Sequence, residues 1–135
     1  MLNLEPLAAL AANEMAGHDK AGANDAENII TKSLAVLAEQ GLYAFGLFLA
    51  TRKRAQDKEP ADRIDAQVRQ LLKTALLISA DQLRAPDKPS FYRSLTAVQA
   101  GESPVNALRR ILLCKQLLET TLTYGRYAAK ALKND

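Results

Sequence analysis

The closing stretch of this 135-residue chain, residues 103–135, opens on Ser103 and Pro104 and contains no further proline and no turn cluster before Lys133-Asn134-Asp135. Serine at an N-cap followed by proline at the first helical position is a helix start. At ~1.5 Å per residue the stretch is expected to form one helix roughly 45 Å long. At about 100° per residue, Leu108, Ile111, Leu118, Leu122 and Ala129 fall on one narrow face, while Leu113, Leu117 and Tyr124 fall nearly opposite. Two apolar seams require two partners. Either the helix is sandwiched inside its own bundle, or one seam is kept for another chain.

The rest of the sequence has to supply those partners. With 48% hydrophobic residues, the chain can bury a core as one domain without staples. A single cysteine, Cys114, excludes an intrachain disulfide and suits a reducing compartment. The longest uncharged run, residues 40–51, is too short to cross a bilayer, and residues 1–15 carry Glu5 and Glu14 with no basic n-region. A cytoplasmic protein with no membrane partner is the expectation.

Helical spacing recurs along the whole length. Residues 2–16 are rich in alanine and leucine, with Pro6 near the start, and a glycine-flanked loop over residues 17–22 is expected to be mobile. Asn24 and Glu27 form a capping-box pattern ahead of Ile29, Ile30, Leu34 and Leu37, and Gly41 ends or interrupts that helix. Residues 42–49 are almost continuously apolar, fitting a buried helix, and the run closes at Thr51-Arg52-Lys53-Arg54. Pro60 is expected to open a helix over Ile64, Val68, Leu71, Leu72, Leu76 and Ile78 that ends near Leu83 or Arg84. Pro86 and Pro89 break the chain, Ser90 is expected to cap a short helix with Phe91, Leu95 and Val98 on one side, and Gly101 stops it. No segment joins strand periodicity to hairpin chemistry. The fold class is therefore all-α, a single-domain bundle of five or six helices with a long C-terminal helix. Residues 1–23 form an N-terminal helix and loop, and residues 24–135 the main bundle.

Reactive groups are sparse. His18 is the only histidine, it lies in the glycine-flanked loop, and Cys114 is far away in the last helix. That is too few ligands for a His/Cys metal site, and no phosphate-cradling, dinucleotide, nucleophile-elbow or zinc-protease motif occurs. Asp62 and Asp65 sit at i and i+3, but Arg69 at i+4 from Asp65 makes an exposed ion-paired face the expected reading. No catalytic residue, cofactor or metal is assigned.

Binding is what the charge pattern suggests. Residues 1–59 carry six Lys/Arg against eight Asp/Glu, whereas residues 60–135 carry twelve against seven. Arg52, Lys53 and Arg54 form the densest basic cluster, at a helix C-terminus where cations also complement the macrodipole. On the last helix Lys115, Arg126, Lys130 and Lys133 fall within roughly 60° of one another, a ridge roughly 27 Å long that can follow several phosphates. These seven residues are the RNA-binding candidates. Tyr124 and Tyr127 lie well away from Arg126 around the axis, so backbone contacts rather than base stacking are expected. Leu113, Leu117 and Tyr124 are the protein-interaction candidates.

Two segments carry a family resemblance. Gln40-Gly41-Leu42-Tyr43-Ala44-Phe45-Gly46-Leu47-Phe48-Leu49-Ala50 resembles the glycine-leucine-initiated apolar helix of the small subunit of Cmr-type (type III-B) CRISPR effector complexes. Residues 118–132, with Tyr124-Gly125-Arg126-Tyr127-Ala128-Ala129-Lys130-Ala131-Leu132, look like the closing helix of that family. The resemblance implies a non-catalytic subunit of an antiviral ribonucleoprotein. It implies as partners the guide RNA and target RNA, the backbone and large subunits, and further copies of the chain, with RNA cleavage left to other subunits. Two readings of other kinds stay open: a helical protein-interaction or chaperone-like adaptor with no nucleic-acid role, and a helical DNA-binding regulator, for which residues 86–90 are a poor turn.

Overall fold

Local capping chemistry sets most of the helix ends. In a computed structural model, which describes residues 3–134, the chain forms α1 (Glu5–Ala16), a 3-10 turn (Lys20–Gly22), α2 (Ala23–Gln40), α3 (Leu42–Ala50), α4 (Ala55–Thr74), α5 (Ala80–Leu83), α6 (Lys88–Thr96) and α7 (Pro104–Asn134). No strand occurs among the described residues. Ser103 caps α7 by accepting from the Asn106 N–H at 3.1 Å, with Pro104 as the first helical residue. Gly41, at φ +95°, separates α2 from α3 in a conformation that side-chain-bearing residues rarely adopt.

Several boundaries differ from the sequence expectation. There are seven α-helices among the described residues rather than five or six, because the helix expected to run from Pro60 to about Leu83 starts earlier and breaks sooner. Arg54, in extended conformation, precedes the first residue of α4, Ala55, so Pro60 lies buried in the second turn. There its ring forgoes the bond to the carbonyl four residues back. At the other end, Leu76 adopts φ +63°. The Leu77 N–H donates to the Leu72 carbonyl at 2.9 Å and the Leu76 N–H to Lys73 at 3.0 Å. This is a Schellman stop with leucine where glycine is usual. Ser79 and Gln82 then form a reciprocal capping box that starts α5.

The other caps also move. Gly22 precedes α2 without a side-chain cap, so Asn24 is a helical residue and makes no capping box. The segment expected to be a mobile loop closes in the 3-10 turn, where Asp19 accepts from the Ala21 N–H at 3.1 Å. Asp87, rather than Ser90, caps α6, accepting from the Ser90 N–H at 2.9 Å. Val98 lies beyond that helix and is exposed.

From Leu117 onward both seams of α7 are filled by the chain's own first helices. On one side Leu118, Leu122 and Ala129 are buried against α2, each leucine contributing about 1.5–3 kcal/mol on the usual scale. Lys115 reaching the Ala38 carbonyl at 3.4 Å and Lys133 reaching Glu27 at 2.9 Å fix α2 and α7 as antiparallel. On the other side α1 runs in the same direction as α7. Leu4, Glu5 and Ala8 lie beside Leu117 and Tyr124, and Ala16 beside Ala131 and Leu132. Gly125 faces both neighbours: a Cβ there would make ordinary contact with Ile30 and the Ala12 carbonyl at 3.5–3.8 Å.

A second layer completes the bundle. Tyr92 on α6 is wholly buried over Gly46 of α3, edge-on to Phe45 and Phe91 at centroid distances of 5.5 and 4.9 Å. Asp65 and Arg69 on α4 do form the expected pair, at 3.0 Å, but each side chain is only 13–14% exposed, so the face is internal rather than solvated. Arg69 also donates to the carbonyls of Leu83 and Ala85 and stacks on the Phe91 ring at 4.5 Å, tying α4, α5 and α6 together. The same network encloses the Tyr92 phenol: burial raises its pKa well above the ordinary 10.0, and the Asp65 carboxylate adds to the rise.

Candidate nucleic-acid interface

The packing of α7 onto α2 decides what becomes of the basic ridge. All four residues of the ridge face α2, so part of it is spent on holding the helices together. Lys133 donates to Glu27 at 2.9 Å and approaches Asn24 at 3.5 Å. Lys115 donates to the Ala38 carbonyl at 3.4 Å and lies 3.7 Å from Glu119. Arg126 and Lys130, between them, pair with no carboxylate among the described residues and line a groove of about 260 Å³ with Glu27, Asn28, Thr31 and Lys32.

This groove adds a cation that reading α7 alone does not reveal. Lys32 of α2 is exposed and also unpaired among the described residues. Three free cations therefore line one channel, opposed by Glu27, whose charge is already engaged by Lys133. Such a lining favours anions and is weakened by salt. Two covered polar atoms in the same lining lack hydrogen-bond partners among the described residues: Oε2 of Glu27 and Nε of Arg126.

The Arg52, Lys53 and Arg54 cluster lies between α3 and α4 and is less uniform. Arg52 lies over the Phe48 ring at 4.2 Å and donates to the Phe48 carbonyl at 3.2 Å, satisfying the end of α3. Arg54 is exposed and 3.6 Å from Asp57. Lys53 is exposed and unpaired among the described residues.

The protein-interaction candidates are also divided. Leu117 is buried and Tyr124 half-buried beside α1, where the Tyr124 hydroxyl donates to Glu5 at 3.1 Å. The bond to the carboxylate raises the Tyr124 pKa. At those two positions the second seam is internal rather than an open contact surface. Leu113, one turn before Leu117, is 40% exposed. Val105, Leu108 and Leu112, at i, i+3 and i+7 on another face of the first half of α7, form an exposed stripe, so Leu108, expected to be part of the first seam, is not buried.

Groups with reactive chemistry remain apart. His18 is exposed and 3.3 Å from Glu14 at the end of α1. Cys114 is wholly buried, and burial pushes its thiol up to about 11, which keeps it protonated at neutral pH. Among the described residues no group of three His, Cys, Asp or Glu side chains is placed to hold a metal ion, and no helix is long and apolar enough to cross a membrane. Comparison with protein-family models, curated proteins and solved structures returns no match.

Proposed function

We propose that this chain is a non-catalytic RNA-binding assembly subunit of a CRISPR ribonucleoprotein effector of the Cmr type. In this role it contacts the sugar-phosphate backbone of guide or target RNA and packs against neighbouring subunits, including further copies of itself. The observation that carries the reading is the α2–α7 groove, where Lys32, Arg126 and Lys130 are free to neutralise phosphates. Lys53 offers a further free cation between α3 and α4. Contacts of this kind bind without regard to base sequence and release counterions.

The test is single-stranded RNA binding as a function of salt. For the intact chain, log K should fall linearly with log salt. Replacing Lys32 and Lys130 together by alanine should make that slope shallower by roughly 1.4, about 0.7 for each lost phosphate contact. Unchanged affinity and slope in the double variant would remove the groove from the interface, and no binding at low salt would end the proposal.

A second reading, a helical adaptor without a nucleic-acid role, is favoured by the exposed Val105, Leu108 and Leu112 stripe. Under it, Leu108→Asp with Leu112→Asp abolishes capture of a protein partner, and the lysine substitutions have no effect.

A further inference from the structure

Glu27 is the odd member of the α2–α7 groove. A carboxylate in a channel for phosphates repels its ligand unless it contacts something that donates a hydrogen bond. Lys133 occupies Oε1 at 2.9 Å and so fixes the orientation of the carboxylate, while Oε2 is covered and has no partner. Arg126 lines the same groove with its Nε–H also covered and without a partner, and no ion pair joins it to Glu27. The groove thus holds an acceptor lacking a donor and a donor lacking an acceptor, flanked by two free lysines.

A group that both donates and accepts can satisfy the two, and a hydroxyl is such a group, donating to the carboxylate and accepting from the guanidinium. A phosphate diester cannot donate, and a deoxyribose within a strand has no hydroxyl to offer. In a nucleic-acid backbone the 2′-hydroxyl of ribose has this dual character and lies next to phosphates. We propose that the groove reads ribose as well as phosphate, with Glu27 and Arg126 holding a 2′-hydroxyl while Lys32 and Lys130 take the adjoining phosphates. The inference rests on the backbone-binding reading and adds to it a preference for RNA over DNA. Since both atoms are covered in the free chain, the half-buried Arg126 side chain shifts as the strand enters.

The test compares three labelled strands about fifteen nucleotides long by fluorescence anisotropy, with the intact chain at low salt: oligouridylate, its 2′-O-methyl form, and the matching deoxyuridine strand. The ribose strand should bind about tenfold more tightly than either of the others, the difference expected for a hydrogen bond to a charged group. The methylated strand keeps the oxygen but cannot donate, which separates the hydroxyl from the shape of the strand. In Glu27→Met the ribose preference should vanish while the deoxy strand binds at least as well, a negative charge having been removed. Lys130→Ala should weaken all three strands together and leave their ratio unchanged. Equal binding of the three strands by the intact chain overturns the ribose inference and leaves backbone binding standing; failure of all three overturns both. The three-strand comparison needs no variant, so it decides the matter even if Glu27→Met does not fold.

Discussion

Gly46 is the tightest point in the bundle, and adding one methyl group there tests the α3–α6 packing directly. A Cβ at this position would lie 2.4 Å from Cδ2, 2.5 Å from Cγ and 2.6 Å from Cβ of Tyr92, whereas ordinary contact begins at 3.4 Å. Relief requires α3 and α6 to part by about 1 Å, or the Tyr92 ring to leave its rotamer. The ring cannot move freely, because it is wholly buried and meets Phe45 and Phe91 edge-on. Overpacking of this kind costs about 1–3 kcal/mol or more. The three close atoms are Cβ and the two ring carbons nearest it, none of them the free end of a flexible side chain, so the upper end of that range is the appropriate one. The gain in helix propensity from glycine to alanine offsets about 1 kcal/mol. Gly46→Ala should therefore be destabilised by about 2 kcal/mol, a fall in Tm of roughly 6–10 °C for a chain of this length. In urea unfolding followed by circular dichroism, the midpoint should drop with an unchanged slope. Adding Tyr92→Leu to the variant should cost less than the sum of the two single changes, because the clash is shared. A neutral or stabilised Gly46→Ala, or strict additivity in that cycle, would refute the reasoning.

Two other outcomes follow from single residues. Leu76 is 81% exposed at φ +63°, so Leu76→Gly should relieve the left-handed strain, lose little burial, and raise stability by up to about 1 kcal/mol in the same urea assay; a lower midpoint would contradict this. Glu102 is held below the ordinary 4.5 by its bonds from Arg110, reinforced by the Gln99 N–H, so its contribution is complete above pH 4.5 and lost as pH falls through the lowered value. Glu102→Gln should accordingly be less stable than the parent at pH 7, with the gap closing in acid; a gap that stays constant with pH would count against the Arg110 clasp.

What could be read in advance was local. Ser103 with Pro104, and Gly41, announce helix ends through their own backbone preferences, and both ends are found where expected. The 3.6-residue period identified α2, α4 and α7 for the same reason. Pro60 misled because proline tolerates the early turns of a helix as well as its first position, and residues 55–59 ahead of it, mostly polar or charged, carry no apolar period. The break at Thr74 had no signal: the apolar pattern runs on through Leu76 and Ile78, and leucine is an improbable Schellman residue. The groove was half visible. Arg126 and Lys130 share a face on α7, but nothing in that helix says that Lys32, 94 positions before Arg126, stands across from them. Nor does a wheel of α7 show which ridge lysines are spent on α2. The single basic residue of α2 among Asp25, Glu27 and Glu39 was the available clue.

The pairing of α1 with α7 joins the first described helix to the last. During synthesis α1 leaves the ribosome with no surface to cover its buried Ala8, Ala11 and Met15, and α2 emerges with its Ile29 and Ile30 in the same state. Roughly ninety residues separate α1 from α7, an interval of about 5–20 s at cellular elongation rates. The chain's own α3 and α4 give α1 and α2 a first cover, but the faces that meet α7 stay open until that helix arrives. A truncation within α7 would leave a sticky intermediate rather than a smaller folded protein, which makes the synthesis of α7 the step that commits the bundle.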